Sequence, residues 1–145
     1  MYATEYMVFV CFKQVHVSLY TCIAPPDIEE SKLRNSVVAE GENTSFVCSA
    51  RGYPPPMLTW FLNGTRVLPQ DRGTMVYERS SQSGLYNVTT SELVIPAAQL
   101  KLNGEVQCTA RSTTAAIDLT DDNETALLVV LGKIINTQLP VSLIL

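Results

Sequence analysis

Three segments of the chain alternate apolar and polar residues with the two-residue period of a half-buried β-strand. They cover residues 43–50, 58–62 and 106–110. Because successive side chains of a strand point to opposite faces, each segment presents one largely apolar face. The residues on these faces are Thr44, Phe46, Cys48 and Ala50, then Leu58, Trp60 and Leu62, and finally Val106, Cys108 and Ala110. The three faces point to one shared core, so the pattern predicts an all-β fold.

Cys48, Trp60 and Cys108 add a characteristic spacing to this pattern. A cysteine, a tryptophan about a dozen residues later and a second cysteine about sixty residues after the first is the spacing of an immunoglobulin domain. It predicts an immunoglobulin-like antiparallel β-sandwich with one inter-sheet disulfide, Cys48–Cys108, against which Trp60 packs. In the chain-entropy model a bridge that closes a loop of this length contributes ~4 kcal/mol, and its presence implies an oxidising compartment.

The remaining parts of the chain carry further strand and turn signals. The Asn63-Gly64 pair predicts a two-residue hairpin turn, because both positions tolerate positive φ. Residues 97–102 are expected to form a short helical turn, and residues 112–124 a long polar loop. The Tyr53–Pro54 bond is expected to be trans, like most bonds before proline. Additional strands are predicted at residues 37–39, 65–68, 74–78, 85–95 and 125–131.

The predicted immunoglobulin-like domain covers residues 25–132, which matches the ~100 residues of such a sandwich. Residues 1–24 are predicted to be a leader or an incomplete upstream segment. Cys11 and Cys22 lie in that segment and are expected either to be removed with a leader or to be unpaired. Residues 133–145 are predicted to be an unstructured tail, because a membrane helix needs ~20 apolar residues. Membrane attachment is therefore not evident from this pattern.

The charge of the chain argues against two classes of partner. The formal net charge is −4 and the pI is about 4.9. Binding to nucleic acid and attachment to a membrane surface through a polybasic patch both need clustered Lys and Arg. The composition, with 46% hydrophobic and 17% charged residues, indicates a packed core rather than disorder.

Four N-glycosylation sequons begin at Asn43, Asn63, Asn87 and Asn123. Chance would give roughly one, so the excess favours an extracellular protein, either secreted or on the cell surface. Asn87 does not fit its strand well, because alternation places it on the same face as Leu93 and Ile95. Either a bulge intervenes or this sequon lies outside the paired strand.

Candidate catalytic and metal-binding residues are too few to predict an enzyme. The only histidine is His16, so a Ser–His–Asp triad would depend on the N-terminal segment. Together with Cys11 and Cys22 it makes three potential zinc ligands, where a structural site needs four. The acidic residues at positions 118–124 lack the spacing of an EF-hand and are expected to form a solvated loop. No cofactor and no metal site is predicted.

A narrower resemblance is carried by the stretches CSARGYPPP, LTWFLNG, SELVIP and VQCTA, at residues 48–56, 58–64, 91–96 and 106–110. They resemble the constant-like domains of nectin-type adhesion receptors, lymphocyte costimulatory ligands and insect beaten-path proteins. The resemblance implies a non-enzymatic chain that binds another cell-surface or secreted protein, including members of the immunoglobulin superfamily. Val106 departs from it, because a tyrosine at this position usually holds the preceding crossing. Another contact must therefore hold residues 97–103.

Phe61, Arg66 and Arg111 are the candidate partner-binding residues. Phe61 follows Trp60 and therefore points away from the core, on a strand predicted to lie in the sheet of Cys108. An outward aromatic residue near two arginines is typical of a recognition face, although Phe61 could instead pack under a glycan at Asn63. The sequence thus predicts a module for protein–protein binding in cell adhesion or receptor signalling. The alternative is a structural spacer domain of a larger receptor.

Overall fold

A computed structural model describes residues 8–13, 15, 16, 18, 20–30, 32–69, 73–114, 117, 118 and 121–133. Within these residues the first sheet has the strand order β1-β2-β4-β8-β7 and the second has the order β3-β12-β9-β5-β6, while β10 pairs with β11. The strands are β1 (Val10–Lys13), β2 (Tyr20–Ile28), β3 (Ser36–Ala39), β4 (Thr44–Tyr53), β5 (Met57–Leu62), β6 (Thr65–Arg66), β7 (Met75–Ser83), β8 (Tyr86–Ile95), β9 (Gly104–Arg111), β10 (Thr113–Thr114), β11 (Ile117–Asp118) and β12 (Asp122–Leu131).

A disulfide joins the two large sheets. It links Cys48 in β4 to Cys108 in β9 with a Cα–Cα distance of 6.4 Å, and both cysteines are fully buried. The strand pairs of the described residues are antiparallel except for β3 with β12, which pair in parallel. The predicted immunoglobulin-like sandwich with one inter-sheet disulfide is therefore confirmed, and the parallel pair is an addition that the alternation pattern did not predict.

The core forms where the inward faces of the two sheets meet. The predicted alternation holds in β9 and, except for the buried Ser49, in β4, and β8 and β12 follow the same rule. In β5 only Trp60 is fully buried, and Leu58 and Leu62 pack against the core while partly exposed. The largest fully buried side chain is that of Trp60, which is 2% exposed. Its Nε1–H donates to Ser91 Oγ in β8 at 2.9 Å, so the indole nitrogen has a partner inside the core. This hydrogen bond connects the second sheet to the first beside the disulfide.

The hairpin between β5 and β6 turns at Asn63 and Gly64, as predicted. Both residues have positive φ, 49° and 77°. The Asn63 side chain also fixes the start of β9, because Oδ1 accepts from the Glu105 N–H at 2.9 Å and Nδ2 donates to the Asn103 carbonyl at 3.0 Å. Gly104 lies under this contact with φ +137°, and a Cβ there would be 1.9 Å from Asn63 Oδ1. Position 104 therefore requires glycine.

Asn103 holds the crossing before β9, where the tyrosine corner is missing. The last pair between β9 and β12 is Gly104 with Leu128, so β9 does not reach the backbone of Val130. The Asn103 side chain replaces the missing neighbour: Oδ1 accepts from the Val130 N–H at 2.5 Å and Nδ2 donates to the Val130 carbonyl at 3.2 Å. Nδ2 also donates at 2.9 Å to the carbonyl of Leu100, in the short helical turn Leu100–Leu102. One amide thus connects the crossing to the last strand.

We expect Asn103→Ala to lower the free energy of unfolding by about 1–2 kcal/mol, because it leaves two backbone groups of Val130 without protein partners. Urea denaturation of the purified chain would measure the change. Asn103→Asp retains an acceptor for the Val130 N–H but turns a carboxylate oxygen toward the carbonyls of Leu100 and Val130, so it should destabilise the domain as well. An unchanged unfolding midpoint for Asn103→Ala would mean that another contact holds the crossing.

The structure also corrects the expectation for Cys11 and Cys22. The two cysteines are not unpaired: they are directly opposite each other in β1 and β2 and form a second disulfide within the first sheet. Strand β2 extends across the predicted boundary at residue 25, and Ile23 and Ala24 are buried. Pro25 and Pro26 cannot donate to a sheet, and β2 contains them at a register shift between Ala24 and Asp27. Whether a leader is removed remains a prediction.

Three local expectations also differ from the structure. The Tyr53–Pro54 bond is cis rather than trans. The Pro54 carbonyl accepts a hydrogen bond from Ser112 Oγ, a tertiary contact that the average frequency of cis bonds before proline does not take into account. The predicted loop 112–124 contains β10 and β11, and β12 already begins at Asp122. Strand β7 is longer than residues 74–78.

Most of the predicted tail, residues 134–145, lies outside the described residues. No helix in the described part of the chain is long and apolar enough to span a membrane.

Candidate recognition face

Phe61, Arg66 and Arg111 line one shallow concavity on the outer face of the second sheet. Its volume is about 330 Å³, and its other lining residues are Met57, Thr59, Thr109 and Asp121. We call it the Phe61 concavity. The three residues selected from the sequence are therefore neighbours in space, although their role in binding stays a prediction.

The Phe61 concavity is built by the pairing of β6, β5 and β9. Phe61 pairs with Arg66 on one side and with Gln107 on the other, and Met57 pairs with Arg111. Directly paired residues place their Cβ atoms about 5 Å apart on the same face, so each apolar side chain has an arginine neighbour. Phe61 is half-buried rather than fully exposed, whereas Met57 is 64% exposed. The exposed apolar surface of the concavity therefore comes from Met57 as well as from Phe61.

The two arginines differ in their charge partners. Arg111 Nε lies 3.0 Å from Asp121 Oδ1, so this cation has an acidic partner within the concavity. The ion pairs found among the described residues do not include Arg66, whose side chain is exposed. The concavity therefore presents an apolar surface, and the Arg66 cation at its edge makes no ion pair with the described residues. Such a surface complements a partner that places a carboxylate beside an apolar side chain.

An aliphatic strip extends the same face toward β3. It consists of Val37, Leu127, Val129 and Leu131, which are 63%, 53%, 39% and 54% exposed. Val37 pairs directly with Val129, and the strip follows every second residue of β12. The sequence did not predict this strip, because residues 125–131 form a continuous apolar run. Such a run is equally typical of a strand that is buried on both faces. In the structure Ala126, Leu128 and Val130 are buried while the residues between them are exposed, so β12 is covered on one face only.

Three of the four sequons are presented to solvent. Asn43 is exposed immediately before β4, not within it, and Asn63 is exposed in the hairpin turn. Asn123 is exposed on β12, on the outer face of the second sheet. The Asn63 side chain already makes the two hydrogen bonds to the start of β9, so its amide is also part of the fold. Attachment of glycans at these sites stays a prediction.

The fourth sequon, at Asn87, contradicts both expectations for its strand. There is no bulge in the pairing there, and Asn87 is paired on both sides, with Gly52 of β4 and Gln82 of β7. It lies on the inward face near the end of β8 and is half-buried, because this end of the sandwich is only partly covered. The hydroxyl of Thr89, the third residue of the sequon, is buried and has no hydrogen-bond partner among the described residues. The folded domain therefore leaves Asn87 only partly accessible and buries the hydroxyl residue of this sequon.

A larger concavity of about 480 Å³ lies beside the end of the sandwich that contains the short helical turn. Its lining includes the apolar Leu62, Val67, Ile95 and Leu102 and the cations Arg66 and Lys101. None of the described residues that line it is a histidine, cysteine, aspartate or glutamate. Among the described residues it therefore offers no carboxylate, imidazole or thiol for acid–base or covalent chemistry, only the amine of Lys101 and hydroxyl groups. The Phe61 concavity remains the better candidate for function.

The chain is similar to two much longer proteins over most of the domain. It is 32% identical over 88 residues to the cell adhesion molecule DSCAML1 of Gallus gallus and 34% identical over 89 residues to hemicentin-2 of Mus musculus. Each match covers 61% of this chain but only 4% and 2% of the relatives, so the chain spans a small part of their length. The narrower resemblance to nectin-type, costimulatory and beaten-path proteins stays a prediction.

The fold has counterparts among solved structures. In a complex of Dpr2 Ig1-Ig2 with DIP-Theta Ig1-Ig3, one chain superimposes with a TM-score of 0.57 and 22% identity, covering 77% of this chain and 40% of the other. At this identity the similarity supports the fold alone. The sequence model described as "Immunoglobulin domain" matches residues 25–112, which include both cysteines of the inter-sheet disulfide and Trp60. This chain therefore belongs to the immunoglobulin domain family, whose members are in general not enzymes.

Proposed function

We propose that this domain is an extracellular recognition module that binds another cell-surface or secreted protein, as in cell adhesion or receptor signalling. The observation that carries the proposal is the Phe61 concavity, where Phe61, Met57 and the exposed Arg66 lie together on an open sheet face. Aromatic residues, methionine and arginine are the residue types enriched in protein–protein interfaces. The two buried cysteines and three solvent-facing sequons support a location outside the cell.

The chemistry of the face indicates the kind of partner surface. Met57 and Phe61 offer apolar area that gains free energy when it leaves water, and Arg66 favours an acidic group at the edge. DSCAML1 is named a cell adhesion molecule, and the Dpr2–DIP-Theta structure is a complex between immunoglobulin domains. We therefore propose that the partner is itself a protein of the immunoglobulin superfamily.

A second candidate function is that of a structural spacer in a longer receptor. The observation that favours it is the small share of DSCAML1 and hemicentin-2 that the chain spans, since those relatives are far longer than one domain. A spacer does not need an apolar binding surface, and its faces can all carry polar residues or sugar. The two functions therefore differ in whether replacement of Phe61 affects binding.

We expect Phe61→Ala to weaken binding to the partner several-fold with little loss of stability, because the ring is half-buried outside the core. The test is a screen of the multimerised chain against recombinant ectodomains of the immunoglobulin superfamily, including the chain itself, followed by titration of each hit. Tyr77→Ala is the matched control, since Tyr77 is 55% exposed on the first sheet. Binding that survives Phe61→Ala but is lost with Tyr77→Ala would place the interface elsewhere, and a screen without hits would favour the spacer.

A further inference from the structure

The face that carries the Phe61 concavity also carries a sequon. Asn123 of β12 pairs with Thr109 of β9, and Thr109 pairs in turn with Thr59 of β5. Both threonines line the concavity, as does Asp121, two residues before Asn123. With strands about 4.8 Å apart, Asn123 is about 10 Å from Thr59 across the sheet. The sequon is thus at the edge of the proposed binding surface.

Hydrogen bonds of Asp122 hold the sequon in this orientation. Asp122 Oδ2 accepts from the Ile28 N–H of β2 at 2.7 Å, and Oδ1 accepts from the Asn123 N–H at 2.9 Å. The first bond connects the start of β12 to β2 of the opposite sheet, and the second is local to the start of β12. Asn123 and Thr125 then alternate with inward residues, and both are exposed on the outer face. The acceptor and the hydroxyl residue of this sequon are accordingly both accessible, unlike Asn87 and Thr89.

We propose that an N-linked glycan at Asn123 covers the Phe61 concavity and controls access of the protein partner to it. The steric part depends only on the fold, whereas the effect on binding rests on the proposed function. An N-linked glycan is bulky and strongly solvated, and it is longer than the two strand spacings that separate Asn123 from Thr59. A partner that must remove Met57 and Phe61 from water would have to displace it. Molecules with and without this glycan would therefore differ in affinity.

The aliphatic strip is a less favourable location for the same glycan. Leu127 lies four residues further along β12, about 13 Å from Asn123, and Val129 and Leu131 are more distant still. The concavity begins one strand away, at Thr109. Its threonines and its Arg111–Asp121 ion pair offer hydrogen-bonding groups to sugar hydroxyls, which the strip lacks. The geometry and the chemistry therefore both favour the concavity.

The test compares methionine oxidation in the full chain secreted from a eukaryotic cell line. Met57 reports on the concavity, and Met75, which is 39% exposed in β7 of the first sheet, is an internal reference. Asn123→Gln and Thr125→Ala each remove the sequon by a different substitution. Asn43→Gln removes a sequon away from this face and is the control. Peptide mass spectrometry measures occupancy at Asn123 and the rate at which chloramine-T oxidises each methionine.

We expect Asn123 to be occupied and Met57 to be oxidised several-fold faster in both sequon variants than in the wild type. The rate at Met75 should not change, and Asn43→Gln should behave like the wild type. An unoccupied Asn123, or equal Met57 rates with and without its glycan, would overturn the steric proposal. Failure of Phe61→Ala to affect partner binding would remove the Phe61 concavity from the interface without altering these oxidation rates. Once a partner is found, Thr125→Ala should bind it several-fold more tightly, and equal affinity would overturn the control of access.

Discussion

Replacement of Cys48 and Cys108 by alanine is expected to lower the free energy of unfolding by ~4 kcal/mol, because the bridge closes a loop of 60 residues. Both cysteines are fully buried between the sheets, so their loss also removes packed atoms from the core. Since domains of this size have net stabilities of about 5–15 kcal/mol, a large fraction of the molecules could unfold. Urea denaturation of the double variant, or its yield of secreted protein, would measure the effect.

The second disulfide provides the matched comparison. Cys11 and Cys22 are separated by 11 residues, for which the same entropy model gives ~3 kcal/mol. Cys11 is exposed and Cys22 half-buried, so Cys11→Ala/Cys22→Ala removes little from the core. We therefore expect the inter-sheet variant to be the less stable of the two. The opposite order, or free thiols at Cys48 and Cys108 in native material, would contradict the assigned importance of the inter-sheet bridge.

The parts of the fold that follow from sequence are those with a strong local pattern. Phe46 and Cys48, or Val106 and Cys108, alternate in the chain and are buried together, because a strand with one covered face must alternate. The Asn63-Gly64 turn was also predictable from local sequence, because a turn with positive φ at two successive residues favours Asn followed by Gly. The spacing of Cys48, Trp60 and Cys108 supplied the long-range information that local patterns lack.

The parts that could not be predicted depend on which strands become neighbours. The aliphatic strip is exposed because β12 is covered on one face only, and a continuous apolar run does not reveal this. The Asn103 side chain holds the crossing in place of the usual tyrosine, by hydrogen bonds to the backbone of Val130, which is 27 residues away in the chain. The pairing of Cys11 with Cys22 requires β1 and β2 to be adjacent, which the local pattern of residues 1–24 does not indicate. In each case a tertiary contact outweighs the local signal.

The candidate site shows the same division. Alternation alone placed Phe61 on the outer face, but the register of β5 with β6 and β9 was needed to bring Arg66 and Arg111 to it. The same register places Asn123 at the edge of this face, where a sequence motif gives no position relative to Phe61. A surface that combines apolar area with a sequon can be available in one glycoform and covered in another. Occupancy at Asn123 is therefore as informative about function as the identity of the binding residues.

Trp60→Ala is expected to destabilise the domain by ~3–5 kcal/mol, the usual cost of removing a large buried aromatic side chain. Trp60 is 2% exposed, packs in the core cluster with the disulfide and bonds to Ser91 across the sandwich. Chemical denaturation monitored by far-ultraviolet circular dichroism is the suitable measurement, because the variant loses the only tryptophan and with it the intrinsic fluorescence probe.

Two further variants separate the causes of this loss. Ser91→Ala removes only the partner of the indole N–H and should cost about 1–3 kcal/mol, so the remainder of the Trp60→Ala effect comes from packing. Phe61→Ala, one residue further along the same strand, should cost much less than Trp60→Ala, because Phe61 lies outside the core cluster. Equal destabilisation by Trp60→Ala and Phe61→Ala would mean that Phe61 is a core residue. In that case the recognition face would lose its central aromatic residue, and Met57 and Arg66 alone would be too small a surface to support the proposed binding.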